Sequence, residues 1–498
     1  MNVNPITRLD YPDPDVIRVE DTYYMVSTTM HFMPGCEILQ SFDLVHWEHV
    51  TYVYETLDHT DAQQLKSGQN IYGQGMWAAS LRYHEGRFYI CFVANDTRKT
   101  YLYTSEKIDG PWKKQLIEGF YHDGSLLFDE DGRNYIVYGN DEIWITELNE
   151  DLTAPKKDGL HRLLVSDHKN PELGYEGSHI QKINGYYYIF LIHSLRDRWM
   201  RTEACFYSDS LEGEFTGGDV LCDDRGYCGQ GVAQGGIVDT PDGKWYAMLF
   251  QDSGAVGRIP ILLPVTWKDH FPVFGQNGHV PEEIEVHSTR PGYIYQPLVG
   301  SDDFCNGLLP RWQFNHDPDP QYYHLDALQG TYTITTREVC TELTQAVNTL
   351  TQRMSYPSCA AEVTVDASAL KEGDVAGLCA LQSCYAAVGI TKHHGKYEVL
   401  MLDKKEDGIL DMTEGTVVES HQMDFRLEAD FCNMKDEARC YYRVNKGDWL
   451  PIGTVHKLYF KLDHFTGCRF GLFCYAAEKT GGSACFRDFK YYDVDEIS

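Results

Sequence analysis

The chain has 498 residues, 43% of them hydrophobic, which is enough apolar material for two or three cores rather than one. Its 43 basic residues stand against 74 acidic ones, and the formal charge of -31 repels phosphate backbones and anionic lipid surfaces. Nucleic acid and membrane are therefore excluded as expected partners, and a small neutral molecule is favoured. The first residues hold no apolar leader and no stretch approaches 18 uninterrupted apolar residues. Fifteen cysteines, an odd number without any Cys-x-x-Cys spacing, fit neither a disulfide framework nor a zinc site, and the expectation is a cytoplasmic protein with reduced thiols, the alternative being a mature secreted chain without its leader.

Along the first 250 residues one pattern recurs five times: a short turn, then an aromatic-Tyr pair that opens an apolar run. Glu20-Asp21-Thr22 precedes Tyr23-Tyr24, Gly86-Arg87 precedes Phe88-Tyr89, and Gly132-Arg133 precedes Asn134-Tyr135, the one imperfect copy. Gly185-Tyr186 precedes Tyr187-Tyr188, and Gly243-Lys244 precedes Trp245-Tyr246. Spacings of 65, 46, 53 and 58 residues between the marker tyrosines suit a four-stranded sheet plus loops. Five such units predict a five-bladed β-propeller over residues 1–293, followed by a connector over 294–301.

From Ser301-Asp302-Asp303-Phe304 onward the marker disappears while alternating strands continue, among them Ala361-Glu362-Val363-Thr364-Val365 and Arg469-Phe470-Gly471-Leu472-Phe473. Residues 302–498 are predicted to form a concanavalin-like β-sandwich, and the fold class is all-β. No catalytic constellation is visible inside this second half.

The repeat also sets a register. Twelve residues before the marker tyrosines of copies two to five stand Trp77, Asp123, Glu176 and Gln234, and eleven before Tyr24 stands Asp13. In a radially repeated fold equivalent positions converge on one axis, so carboxylates scattered over 160 residues meet in one pocket. Asp13, between Pro12 and Pro14, is a rigid carboxylate at a strand entrance, suited to act as a base. Glu176, between Tyr175 and Gly177, is placed to be partly desolvated and to keep a proton for a leaving group. Asp123 is a charged neighbour that raises and orients that acid. Trp77 offers the flat apolar wall that sugar faces need, and Phe32 is expected as a second wall. Arg258 is the candidate cation for hydroxyl recognition or for steering the carboxylates. Gln234 is placed to bond a hydroxyl or a channel water.

Taken together, Pro12-Asp13-Pro14-Asp15, Gly75-Met76-Trp77-Ala78-Ala79, His122-Asp123-Gly124-Ser125, Tyr175-Glu176-Gly177-Ser178-His179 and Gly257-Arg258 resemble glycoside hydrolase family 43. The segment from Ser301 to Tyr492 resembles the sandwich appended to the family's xylosidase-type members. The resemblance implies an inverting, exo-acting hydrolase of β-1,4-xylosyl or α-L-arabinofuranosyl units in hemicellulose oligosaccharides, with Asp13 as general base, Asp123 as pKa modulator and Glu176 as general acid. Relatives commonly carry His where this chain has Gln234, so no metal ligand and no cofactor is expected, and the sequence gives a structural calcium no support. The expected partner is a small oligosaccharide, with self-association left open. The alternatives are a non-catalytic carbohydrate-binding protein, which would not need three register-matched acids, and a related propeller fructosidase or glycoside phosphorylase. The fructosidase entrance motif is missing, and the phosphorylase would need a cluster of cations beyond Arg258.

Overall fold

The computed structural model describes residues 3–493; the outermost residues of the two expected domains, 1–2 and 494–498, lie outside the described residues. Five antiparallel meanders surround one axis. Blade I runs through Asp15–Val19, Thr22–Val26, Gly35–Ser41 and Glu48–Tyr54, and blade II through Met76–His84, Arg87–Ala94, Lys99–Ser105 and Lys113–Ile117. Blade III holds Ser125–Phe128, Asn134–Asn140, Glu142–Leu148 and His161–Ser166, and blade IV holds Glu176–Ile183, Tyr186–Ser194, Arg201–Ser208 and Thr216–Leu221. In blade V, Val232–Ala233 and Ile237–Asp239 both pair with Trp245–Asp252, which continues into Arg258–Lys268 and Phe271–Phe274. The marker tyrosines are thus on the second strand of every blade, where the runs that follow them pack against the next sheet.

The ring closes by hydrogen bonds from the N-terminal segment to blade V. Asn4 exchanges side-chain bonds with the backbone of Leu262 at 2.7 and 2.8 Å, and the Ile6 amide donates to the Pro260 carbonyl. Beyond blade V, the chain runs back over blade I, where the Thr289 amide donates to Phe42 and the Gln296 amide to Glu48.

The second domain is a sandwich of two antiparallel sheets of nine and seven strands. Its core of Val, Leu, Ile, Ala and Phe lies between the facing sides of strands such as Ser358–Asp366, Asp374–Leu381 and Arg469–Ala476. Among the described residues no helix is long and apolar enough to cross a membrane.

The two domains share a sheet. Phe32–Met33, a segment of blade I's own loop, pairs antiparallel with Gln313–Asn315 and forms the edge of the nine-stranded sheet. This overturns the expectation that Phe32 walls a sugar pocket. Its ring is 2% exposed, under the Arg469 guanidinium at 3.4 Å and beside His31, because the loop is drawn to the sandwich by backbone pairing. Arg353 crosses the same seam in the other direction: it donates to Glu37 at 2.8 Å and to the Asp10 carbonyl at 2.9 Å, and lies over Tyr11. Burial opposes ionisation of Glu37, yet Arg353 and His49 hold its carboxyl down to about 2. Three buried histidines, His31, His316 and His464, gather close by with ring centroids 4.8 and 5.9 Å from His31.

Candidate active site

At one end of the propeller axis a pocket of about 690 Å³ is lined by Asp13, Trp77, Asp123, Glu176 and Gln234, one residue from each blade. These are the five register positions. The local backbone explains their convergence: each inner strand is entered through a left-handed residue, Asp13 (φ 53), Asp123 (φ 48) and Gln234 (φ 62) themselves, and Ala78 and Gly177 just after Trp77 and Glu176. Gly177 is required there, since a Cβ would stand 2.7 Å from Cγ of Gln234.

Asp13 is buried and fixed on both oxygens. Thr28 donates to Oδ2 at 2.5 Å and Arg258 to Oδ1 at 3.1 Å. Thr28 in turn accepts from the amide of Ala78, so blades I and II are locked behind the carboxylate. Arg258 is held over the Phe465 ring at 4.1 Å and donates to its carbonyl. Asp123 accepts one bond, from the Gly177 amide at 3.0 Å, while its Oδ1 is buried without a hydrogen-bond partner among the described residues. Burial pushes its carboxyl up to about 6, helped by the charges of Glu176 and Asp13 and opposed by His122. Glu176 accepts from Asn140 at 2.9 Å, and His122 Nε2 is 3.5 Å from the same oxygen.

The wall opposite the propeller comes from the sandwich. Met434, Asp436 and the segment from Lys457 to Leu462 with Phe465 complete the lining, and Trp77 meets Phe465 with ring centroids 5.4 Å apart. The donor atoms of His122, Asp123 and Glu176 lie within 4.8 Å of one another, the only such grouping among the described residues. The charge that its neighbours place on His122 makes that ring a poor metal ligand.

Comparison with known sequences adds that the profile of glycosyl hydrolases family 43 matches residues 3–272, and that of the beta xylosidase C-terminal concanavalin A-like domain matches residues 301–492. The chain belongs to glycosyl hydrolase family 43. It is similar to a bifunctional GH43-CE structure from Bacteroides eggerthii at 42% identity and TM-score 0.93, covering 100% of this chain and 64% of that one. It is 26% identical to a beta-xylosidase of Formosa agariphila over 99% of this chain and 89% of the relative. It is 24% identical to a non-reducing end alpha-L-arabinofuranosidase of Bacteroides ovatus over 82% and 79%. This chain therefore spans just under two thirds of the Bacteroides eggerthii protein's length.

Within this family 43 pocket, sequence reasoning missed Thr28, Asn140, Arg201 and the sandwich residues. Arg201 is buried against Asp252 at 2.6 Å and lies over Trp199 at the pocket rim. Thr28 lies just past the end of a second strand and Asn140 is the last residue of one, both outside the register that marks the strand entrances.

Proposed function

We propose that this chain removes single terminal pentoses, β-1,4-xylosyl or α-L-arabinofuranosyl, from hemicellulose oligosaccharides by one displacement with inversion. The observation that carries the reading is the meeting of Asp13, Asp123 and Glu176 on the floor of one pocket whose far wall is a second domain. A pocket walled in this way suits a chain end rather than the middle of a polymer. Asp13, oriented by Arg258 and Thr28, takes a proton from water on the face away from the leaving group. Glu176 protonates the glycosidic oxygen as the bond to the anomeric carbon breaks, and Asp123 supports the proton on that acid. Trp77 and Phe465 supply apolar surface for the sugar ring. Fifteen cysteines, all present as thiols, support work in a reducing compartment on imported oligosaccharides.

Turnover of an aryl β-xyloside and an aryl α-L-arabinofuranoside tests the reading and ranks the two sugars; hydrolysis of neither would sink it. Rapid proton NMR on a xylobiose digest should show α-xylose first. If β-xylose came first, Asp13 would be a nucleophile and the single displacement would be wrong.

A further inference from the structure

His122 precedes the first strand of blade III and presents its ring to the pocket floor. Its carbonyl accepts from the Gly139 amide at 3.0 Å, which fixes the main chain, and its ring faces Trp77. Nε2 stands 3.5 Å from Oε2 of Glu176 and 3.6 Å from Oδ2 of Asp123. That nitrogen is buried and has no partner in hydrogen-bond geometry among the described residues. It is therefore placed by charge, between two carboxylates.

The other cations around the pocket already stand beside acids. From blade V, Arg258 is bound to Asp13 of blade I at 3.1 Å. Arg201 of blade IV is bound to Asp252 at 2.6 Å. On the sandwich side Lys457 is 4.0 Å from Asp436 and Lys461 pairs with Glu406 outside the lining, while Glu172 stands at the blade IV rim. Among the described residues no cation except His122 comes within ion-pair distance of Asp123 or Glu176.

We propose that His122 is a second modulator of the general acid, a cation that counterweights Asp123 so that Glu176 works between one anion and one cation. The proposal rests on Glu176 being the general acid. Asp123 favours the proton on Glu176; the imidazolium favours its departure. When that proton passes to the glycosidic oxygen, the electrons of the broken C–O bond go to that oxygen, and Glu176 is left as a carboxylate facing Nε2–H. His122 keeps its own proton throughout and acts through Glu176 without touching the reacting atoms. The surroundings suit a charged ring: burial disfavours it, but Asp123, Glu176 and Asp13 outweigh burial and push His122 up to about 9.

The test is the pH profile of kcat on xylobiose and on an aryl xyloside with a good leaving group. In His122→Gln the alkaline limb should move up by about one pH unit, the scale of an opposite charge at this distance. Plateau turnover of xylobiose should fall roughly 10-fold, below the loss for a fully buried electrostatic donor, with little change for the aryl substrate. Asp123→Asn should move the limb down, and the double variant should return it towards the wild-type position. A limb that stays put or moves down in His122→Gln overturns the proposal. Separately, nitrogen NMR of the histidine rings in substrate-free wild-type protein should show His122 charged at pH 7.5, assigned by the signal missing from His122→Gln or, if that variant does not fold, from His122→Asn. A neutral ring there overturns it as well. Should wild-type protein hydrolyse no pentoside, the proposed function fails while the NMR result still stands.

Discussion

Two groups of histidines in this molecule meet opposite fates. In the pocket, His122 is surrounded by carboxylates and is pushed up to about 9 although it is largely buried. At the domain seam, His31, His316 and His464 are buried among one another and aromatic rings; burial holds all three down, helped by neighbouring imidazoles at His31 and His316, while at His464 burial overrides the adjacent Asp463 and takes the ring to about 3. His316 shows the neutral state directly, since its Nε2 accepts the Ile71 amide at 3.0 Å. Burial alone therefore does not set the charge of a side chain: the carboxylates gathered around His122 outweigh it, whereas the single Asp463 beside His464 does not. The pocket gathers charge that the fold leaves partly unmatched, as at Oδ1 of Asp123, whereas the seam pairs its charge, as in Arg353 with Glu37.

If that division holds, changes in the pocket alter turnover and changes in the seam alter stability. Glu176→Gln should lower hydrolysis of xylobiose by roughly 100- to 10,000-fold, with a much smaller loss on aryl glycosides whose leaving group departs unprotonated, and with no loss of melting temperature. Equal losses on both substrates would remove Glu176 from the acid role. Arg353→Met should do the reverse and cost about 3–5 kcal/mol in denaturant unfolding, because it strands buried Glu37 with only His49. A loss under about 1 kcal/mol would show that the seam does not depend on its ion pair.

Asp123→Asn sharpens the contrast. A carboxyl held at about 6 in the fold against 3.8 when free favours the folded chain only while protonated, so its contribution is full below pH 3.8 and lost as pH rises through 6. At pH 7.5 the variant should be more stable, by about 1–3 kcal/mol, while losing activity. An unchanged or lowered melting temperature would contradict the unmatched charge. The smallest effect belongs to His31→Phe. A histidine held neutral in the fold but free to protonate near 6.5 when unfolded contributes stability above pH 6.5 that is lost as pH falls. Each such ring steepens the acid loss by up to about 1.4 kcal/mol per pH unit. His31→Phe keeps an aromatic ring and should flatten the slope of unfolding free energy between pH 6.5 and 5 by about that amount; an unchanged slope would mean that His31 does not titrate on unfolding.

The blades were legible because each carries its own turn and aromatic-Tyr signal, which is local chemistry repeated. The register was legible for the same reason, and its one irregularity has a structural cause. In blades II and IV the pairing slips by a bulge just after Trp77 and Glu176, whereas blade I runs unbroken from Asp15 to Val19, so Asp13 stands one residue nearer its tyrosine. In blades III and V the hairpin is the longer part, with Tyr135 facing Leu127 and Tyr246 facing Val238. Thr28 and Asn140 stand four and five residues after their marker tyrosines, where the other blades carry other residue types, so the repeat does not mark them. Phe32 was misplaced for a different reason. A loop that joins another domain's sheet is decided by a partner far along the chain, and nothing within the loop itself records that pairing.

That same strand imposes an order of events in time. The Gln313 side chain donates to the Pro34 carbonyl across a separation of 279 residues. At roughly 5–20 residues per second on the ribosome, the partner segment emerges about 14–56 s after Phe32–Met33. Throughout that interval Phe32 has no sheet to join, and Glu37 waits for Arg353. The blade that is synthesised first is thus completed only after the propeller has been made and the sandwich has begun to appear.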